Sequence, residues 1–336
     1  MSLKIYQCHG DPQSLPHHSQ TMLQLDEETL RRRQEKREHM RDNYPFIARI
    51  KPMAKNIRPV TDCKRPYVDS HMLDKVNARV TGLDFDTGRP TTGEQFLEPL
   101  SPQAVANLLD QTKPFHLDEP DHFFSEPQPP EGWDDSDLTD DAQNEARFFF
   151  QFIDYSLTMN EDEDGFGGTT IIPHLSRWAM FQSDIHRLTR IHPTRNDVEW
   201  RVQGVFRCFT GPLDPDPLRP RTLDTSKPHL SCFLSNLNPP RDGELTTGEL
   251  NAVILLGLGQ AARKEYQQHR IFPVTVVCGS NRTVRIVQGV VDLPKQAVEL
   301  RVSRIVEFPR GKDANWDGFR TLLGWFLGTP IGTTTY

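Results

Sequence analysis

The chain lacks any apolar run of about eighteen residues, so no transmembrane helix is expected. Its start, Met1 to Gly10, carries one lysine and no apolar stretch, unlike a secretory signal. An intracellular protein, cytoplasmic or nuclear, is the expectation. Cysteine is scarce: Cys8, Cys63, Cys208, Cys232 and Cys278 are odd in number and form no CxxC, which argues against a disulfide framework. Cys208, Cys232 and Cys278 each sit in an apolar run, where a thiol serves as a small buried hydrophobe. Three motifs are missing altogether: G-x-x-x-x-G-K-[ST], G-x-S-x-G and HExxH. Apolar residues make up only 36% of 336 positions and 27 are proline, so part of the chain is not expected to pack.

What the chain does have is segregated charge. The net charge is −7, yet residues 118–164 hold 16 acids against one base, Arg147, for −15. Residues 165–336 carry +6 and residues 1–117 carry +2. The run Trp133-Asp134-Asp135-Ser136-Asp137, among prolines, reads as an exposed linker over 118–138. Acids around Phe123, Phe124 and Trp133 suit a protein partner with a basic surface, or the chain's own basic C-terminal part. That basic part also admits nucleic acid, and no membrane contact is expected.

Four regions follow. Residues 1–25 read as a disordered tail; Cys8, His9, His17 and His18 there fit no zinc spacing. Residues 26–117 read as a polar helix, from Asp26 to about Asn43 with Glu28–Arg32 as a supporting pair, and then a proline-punctuated irregular stretch. A short helix opens at Ser101-Pro102. Whether this stretch wraps onto the rest of the chain is left open. After the acidic linker 118–138, residues 139–336 read as an α/β domain. A buried helix carries Phe148, Phe149, Phe150, Phe152 and Ile153, and a second helix is expected from Pro173 through Trp178 to about 192. Val198, Trp200 and Val202 alternate with polar residues as a strand, and His229–Ser235 forms the next. A helix spans Leu245 to about Tyr266, capped at Thr246 or Thr247 with Glu249 as its early polar residue. Three strands at 272–278, 283–291 and 297–308 precede a last helix, Asn315–Leu327. The expected fold class is α/β (α+β): a mixed β-sheet flanked by helices, after a long irregular proline-rich N-terminal part. Gly257-Leu258-Gly259 falls inside a helix, so these glycines are read as allowing close packing rather than holding phosphate.

Two patterns suggest metal. Asn160, Asp162 and Asp164 followed by Gly165 match the first half of a calcium loop, making Asp162 and Asp164 metal candidates. The match ends at Ile171, where a bidentate glutamate belongs, and the segment reads instead as a flexible acidic turn. The C-terminal order, ending in Ile271-Phe-Pro-Val-Thr-Val-Val-Cys-Gly-Ser-Asn-Arg-Thr-Val-Arg-Ile-Val and an amphipathic helix, resembles the end of a restriction-endonuclease-like module. That resemblance implies PD-(D/E)XK chemistry, in which carboxylates hold a divalent metal at a phosphate. The strand that should supply the acid and lysine, His229–Ser235, has neither. Asp197, Glu199 and Arg201 on the preceding strand are the candidate catalytic substitutes, although arginine cannot serve as the proton-transferring lysine.

The segment from Gly243-Glu-Leu-Thr-Thr-Gly-Glu-Leu250 to Leu327-Gly328-Thr329-Pro330 is also similar to a group of uncharacterised proteins of filamentous fungi. Some of these are encoded within secondary-metabolite gene clusters. The resemblance implies no mechanism. The expected function is thus an intracellular accessory protein, non-catalytic, with no resident cofactor and a divalent metal as the alternative. The alternatives are a divergent metal-dependent nuclease-like protein and a non-catalytic nucleic-acid binder.

Overall fold

The computed structural model describes residues 65–112, 176–180, 200–210, 222–309 and 315–335, with scattered positions within 28–63 and 146–153. The described chain builds an eight-stranded mixed sheet flanked by helices. In chain order its elements are α1 (Ser70–Lys75), β1 (Ala78–Gly82), β2 (Leu97–Glu98), α2 (Pro102–Thr112), β3 (Trp178–Met180), β4 (Trp200–Cys208) and β5 (Leu230–Asn236). Then come α3 (Thr247–Ala261), β6 (Ile271–Ser280), β7 (Thr283–Asp292), β8 (Ala297–Val302), β9 (Val306–Glu307), α4 (Trp316–Leu327) and β10 (Thr329–Pro330).

The sheet order is β1-β8-β7-β6-β5-β4-β3, with β9 added to the start of β7. β5 runs parallel to β6 because α3 carries the chain back across the sheet between them. β1 is parallel to β8, and the remaining neighbours are antiparallel. β10 pairs separately with β2. A tight turn with Asn281 in the left-handed conformation (φ 54°) joins β6 to β7, a backbone state asparagine tolerates.

The two faces bury different cores. Inward-pointing Leu230, Cys232, Leu234, Val274, Val276, Val287 and Val291 meet α3. Helical Met53 and Ile57 join the same core from the N-terminal side. The opposite face sets Phe206, Phe233, Val277 and Ile286 against α4 and against Phe149, Phe150 and Ile153, described helical positions that are buried as expected. Phe150 stacks on Phe233 with ring centres 4.5 Å apart. At helix α3 a capping box forms: the Thr246 hydroxyl accepts from the Glu249 amide, and the Glu249 carboxylate accepts from the Thr246 amide. The glycines of α3 divide. A β-carbon on Gly257 would lie 2.5 Å from Val291 of the sheet, whereas one on Gly259 would meet open space.

Several expectations change. Of the helix expected over 173–192, Trp178–Met180 is instead a strand, because it pairs antiparallel with β4 and anchors through the buried Trp178 indole, whose N–H donates to the Gly328 carbonyl at 2.7 Å; residues 173–175 and 181–192 lie outside the described residues. The apolar spacing that suggested a helix is too short to separate the two. The strand expected over 297–308 breaks at Ser303, whose hydroxyl accepts from the Ile286 amide, and β9 turns back onto β7. The stretch 44–117 does contribute to the fold: β1 is a sheet strand, and Phe85, Phe96 and Leu97 are buried. A sheet reckoned only from residue 139 onward therefore omits one of its edges. Glu28 and Arg32 form the expected helical pair at 2.6 Å, both exposed, which contributes a few tenths of a kcal/mol.

Candidate functional site

Of the candidate catalytic residues, the structure places Arg201. It lies exposed near the start of β4 opposite Ser235, whose hydroxyl donates to the Arg201 carbonyl at 3.2 Å. Asp197, Glu199, Asp162 and Asp164 lie outside the described residues. Among the described residues no group of three or more His, Cys, Asp or Glu side chains is arranged to hold a metal ion. Among them, too, no helix is long and apolar enough to cross a membrane.

Two polar constellations organise the sheet, one on each face. The first sits where β5, β6 and β7 meet the start of α3. Glu249 and Arg285 form an ion pair with 0% and 1% of their side chains exposed. The Arg285 Nε donates to Glu249 Oε1 at 2.6 Å, and Nη2 donates to Oε2. The same guanidinium donates to the Arg241 and Glu244 carbonyls, both at 2.8 Å. Glu249 Oε2 accepts a further bond from the Thr246 amide, and the Asn236 amide donates to the Thr246 hydroxyl at 2.8 Å. Every charged atom has a partner, and the loop before α3 is tied to the sheet. The Cys278 thiol beside it is pushed well up by burial and by the Glu249 charge, so it stays a neutral thiol. Burial likewise raises Cys208 and Cys232, in keeping with their role as packing groups.

The second constellation crosses the opposite face. Ser231 of β5, Thr275 of β6, Gln288 of β7 and Arg301 of β8 are successive register partners, and all four are buried. Arg301 Nε donates to Glu299 at 2.8 Å and Nη1 to Gln288 Oε1 at 3.1 Å, while its guanidinium lies over the Phe96 ring at 5.3 Å. His229, two residues before Ser231 on the same face, is also buried. Its Nε2 lies 2.8 Å from the Ile331 carbonyl. A carbonyl accepts only from an N–H, so Nε2 carries the proton and Nδ1 is a bare acceptor. Burial, with the charges of Lys227 and His269, lowers the His229 pKa to about 3. The C-terminal residues form a strap over this face. Ile331 donates its amide to Phe96, Thr333 binds Glu94 Oε1 at 2.8 Å, and Thr334 lies 2.7 Å from His269 Nδ1.

Neither constellation appears among the sequence candidates, apart from Glu249 as a capping residue. The available signal was polar residues set within largely apolar strands: Ser231, Arg285, Gln288 and Arg301 each interrupt such a run. No family model, curated protein or solved structure matches this chain.

Proposed function

We propose that the protein is a non-catalytic accessory protein that engages a protein partner with a basic surface through its acidic segment, 118–164. The observation that carries this reading is the concentration of 16 acids against one base in that segment, beside a C-terminal part with excess base. Charge divided in this way steers association and is screened by salt. The buried polar groups of the sheet agree with a scaffold role, since Glu249 and Arg285 are spent on internal ties. The likeness of Gly243–Leu250 and Leu327–Pro330 to fungal proteins of secondary-metabolite clusters supports a place in secondary metabolism.

The test uses the full chain and a variant with Asp134, Asp135, Asp137, Glu161, Asp162, Glu163 and Asp164 changed to their amides. Fluorescence anisotropy follows a labelled lysine-rich peptide, an aspartate-rich peptide and duplex DNA. The native chain is expected to bind the lysine peptide alone, about tenfold more weakly as salt rises from about 0.05 to about 0.5 M, and the variant to lose that binding. Binding that ignores both salt and the substitutions overturns the reading. Preferential binding of duplex DNA replaces it with the nucleic-acid reading. Mg²⁺-dependent DNA cleavage lost in Glu199→Ala replaces it with the nuclease-like one.

A further inference from the structure

The second face of the sheet carries a hydrogen-bonding imbalance. Gln288 Oε1 is satisfied by Arg301, but Gln288 Nε2 has no partner; nor do Ser231 Oγ and His229 Nδ1. Their residues are 0%, 2% and 3% exposed, so bulk solvent does not reach them. Buried polar atoms are overwhelmingly paired, and each one left unpaired weakens folding roughly tenfold or more. Three such atoms on one face call for a common partner.

Their spacing suits one. Strands lie about 4.8 Å apart, so Ser231 and Gln288, two strands apart in register, have Cα atoms about 10 Å apart. His229, just ahead of β5, is two residues and about 6.6 Å from Ser231, and its ring lies 6.3 Å from Phe96, the ring that Arg301 covers on this face. The three atoms also specify the chemistry of what fits. Gln288 Nε2 can only donate, so it repels a cation. His229 Nδ1, bare because Nε2 serves Ile331, can only accept, so it repels an anion. The Ser231 hydroxyl works either way. The ligand must be small, neutral, and both donor and acceptor.

We propose that His229, Ser231 and Gln288 hold a single buried water molecule. It accepts from Gln288 Nε2–H, donates to His229 Nδ1, and completes its set with Ser231 Oγ. Three bonds to otherwise unpaired groups is the usual complement of an internal water. Because His229 also grips the Ile331 carbonyl, this water joins the middle of the sheet to the C-terminal strap. The site is a structural joint between β5, β7 and residues 329–335.

The test is a double-mutant cycle in the full chain, read by equilibrium urea unfolding. Ser231→Ala deletes only the hydroxyl. His229→Gln keeps an N–H facing Ile331 and deletes the Nδ1 acceptor. With a bridging water, Ser231→Ala raises the unfolding equilibrium constant about fivefold. The double variant then falls short of the product of the two singles by a similar factor, since both lose the same molecule. An improved stability for Ser231→Ala, or singles that simply multiply, overturns the proposal. A crystal structure gives an independent reading. One ordered oxygen within hydrogen-bond distance of all three atoms supports it; a larger bound molecule, or side chains turned onto other partners, refutes it.

Discussion

Replacing Arg285 by methionine isolates the buried ion pair. The side chains are similar in length, so little packing is lost, but Glu249 keeps its carboxylate at a position with no solvent exposure. One amide, from Thr246, remains to it. Breaking one side of such a pair costs about 3–5 kcal/mol, because the remaining charge stays desolvated without compensation. The carbonyls of Arg241 and Glu244 lose their donor in the same step. With a urea dependence of about 3 kcal/mol per molar, a loss of about 4 kcal/mol lowers the unfolding midpoint by about 1.3 M, followed by circular dichroism. Adding Glu249→Met to Arg285→Met removes the stranded charge and should recover about half of the loss, the rest being the loop carbonyls and the capping bond. A single substitution costing under about 1 kcal/mol would refute the dry-pair argument. So would a double variant no better than the single.

Two further predictions follow from the same geometry. The depressed His229 pKa, about 3 against 6.5 for an ordinary histidine, means the unfolded chain takes up a proton that the folded chain refuses. That histidine's contribution is intact above about pH 6.5 and lost as pH falls toward 3, at up to about 1.4 kcal/mol per pH unit, so His229→Gln should flatten the acid limb of stability against pH. An unchanged limb would contradict the assignment. Within α3, Gly257→Ala forces a methyl to 2.5 Å from Val291 and should lower stability by about 1–3 kcal/mol. Gly259→Ala meets open space and should raise it by up to about 1 kcal/mol, so thermal melts of equal sign would refute the packing.

The strands and helices from Trp200 onward could be read because their signals are local. Leu250, Val253, Ile254 and Leu258 recur at helical spacing, and β6 is a continuous apolar run. Cys232 and Cys278 read correctly as core for the same reason. What escaped were facts about pairs distant in sequence. The partner of Glu249 is 36 residues away, and His229 meets Ile331 across 102. β1 reads as an irregular fragment because its burial gives no alternation, and only β8 makes it a strand. Arg201 illustrates the reverse: an attractive charge on an alternating strand turns out to face solvent, where alternation puts polar residues.

The pairing of β1 with β8 also bears on the order of events during synthesis. Ala78 to Gly82 leave the ribosome long before their partners, Val298 to Val302. An edge strand so placed cannot dock until β8 has emerged, and contacts of such long range form slowly. β1 therefore waits while the remainder of the sheet assembles around α3. Chain released before β8 is made would carry an open strand with nothing to close it, a natural substrate for chaperones or proteases.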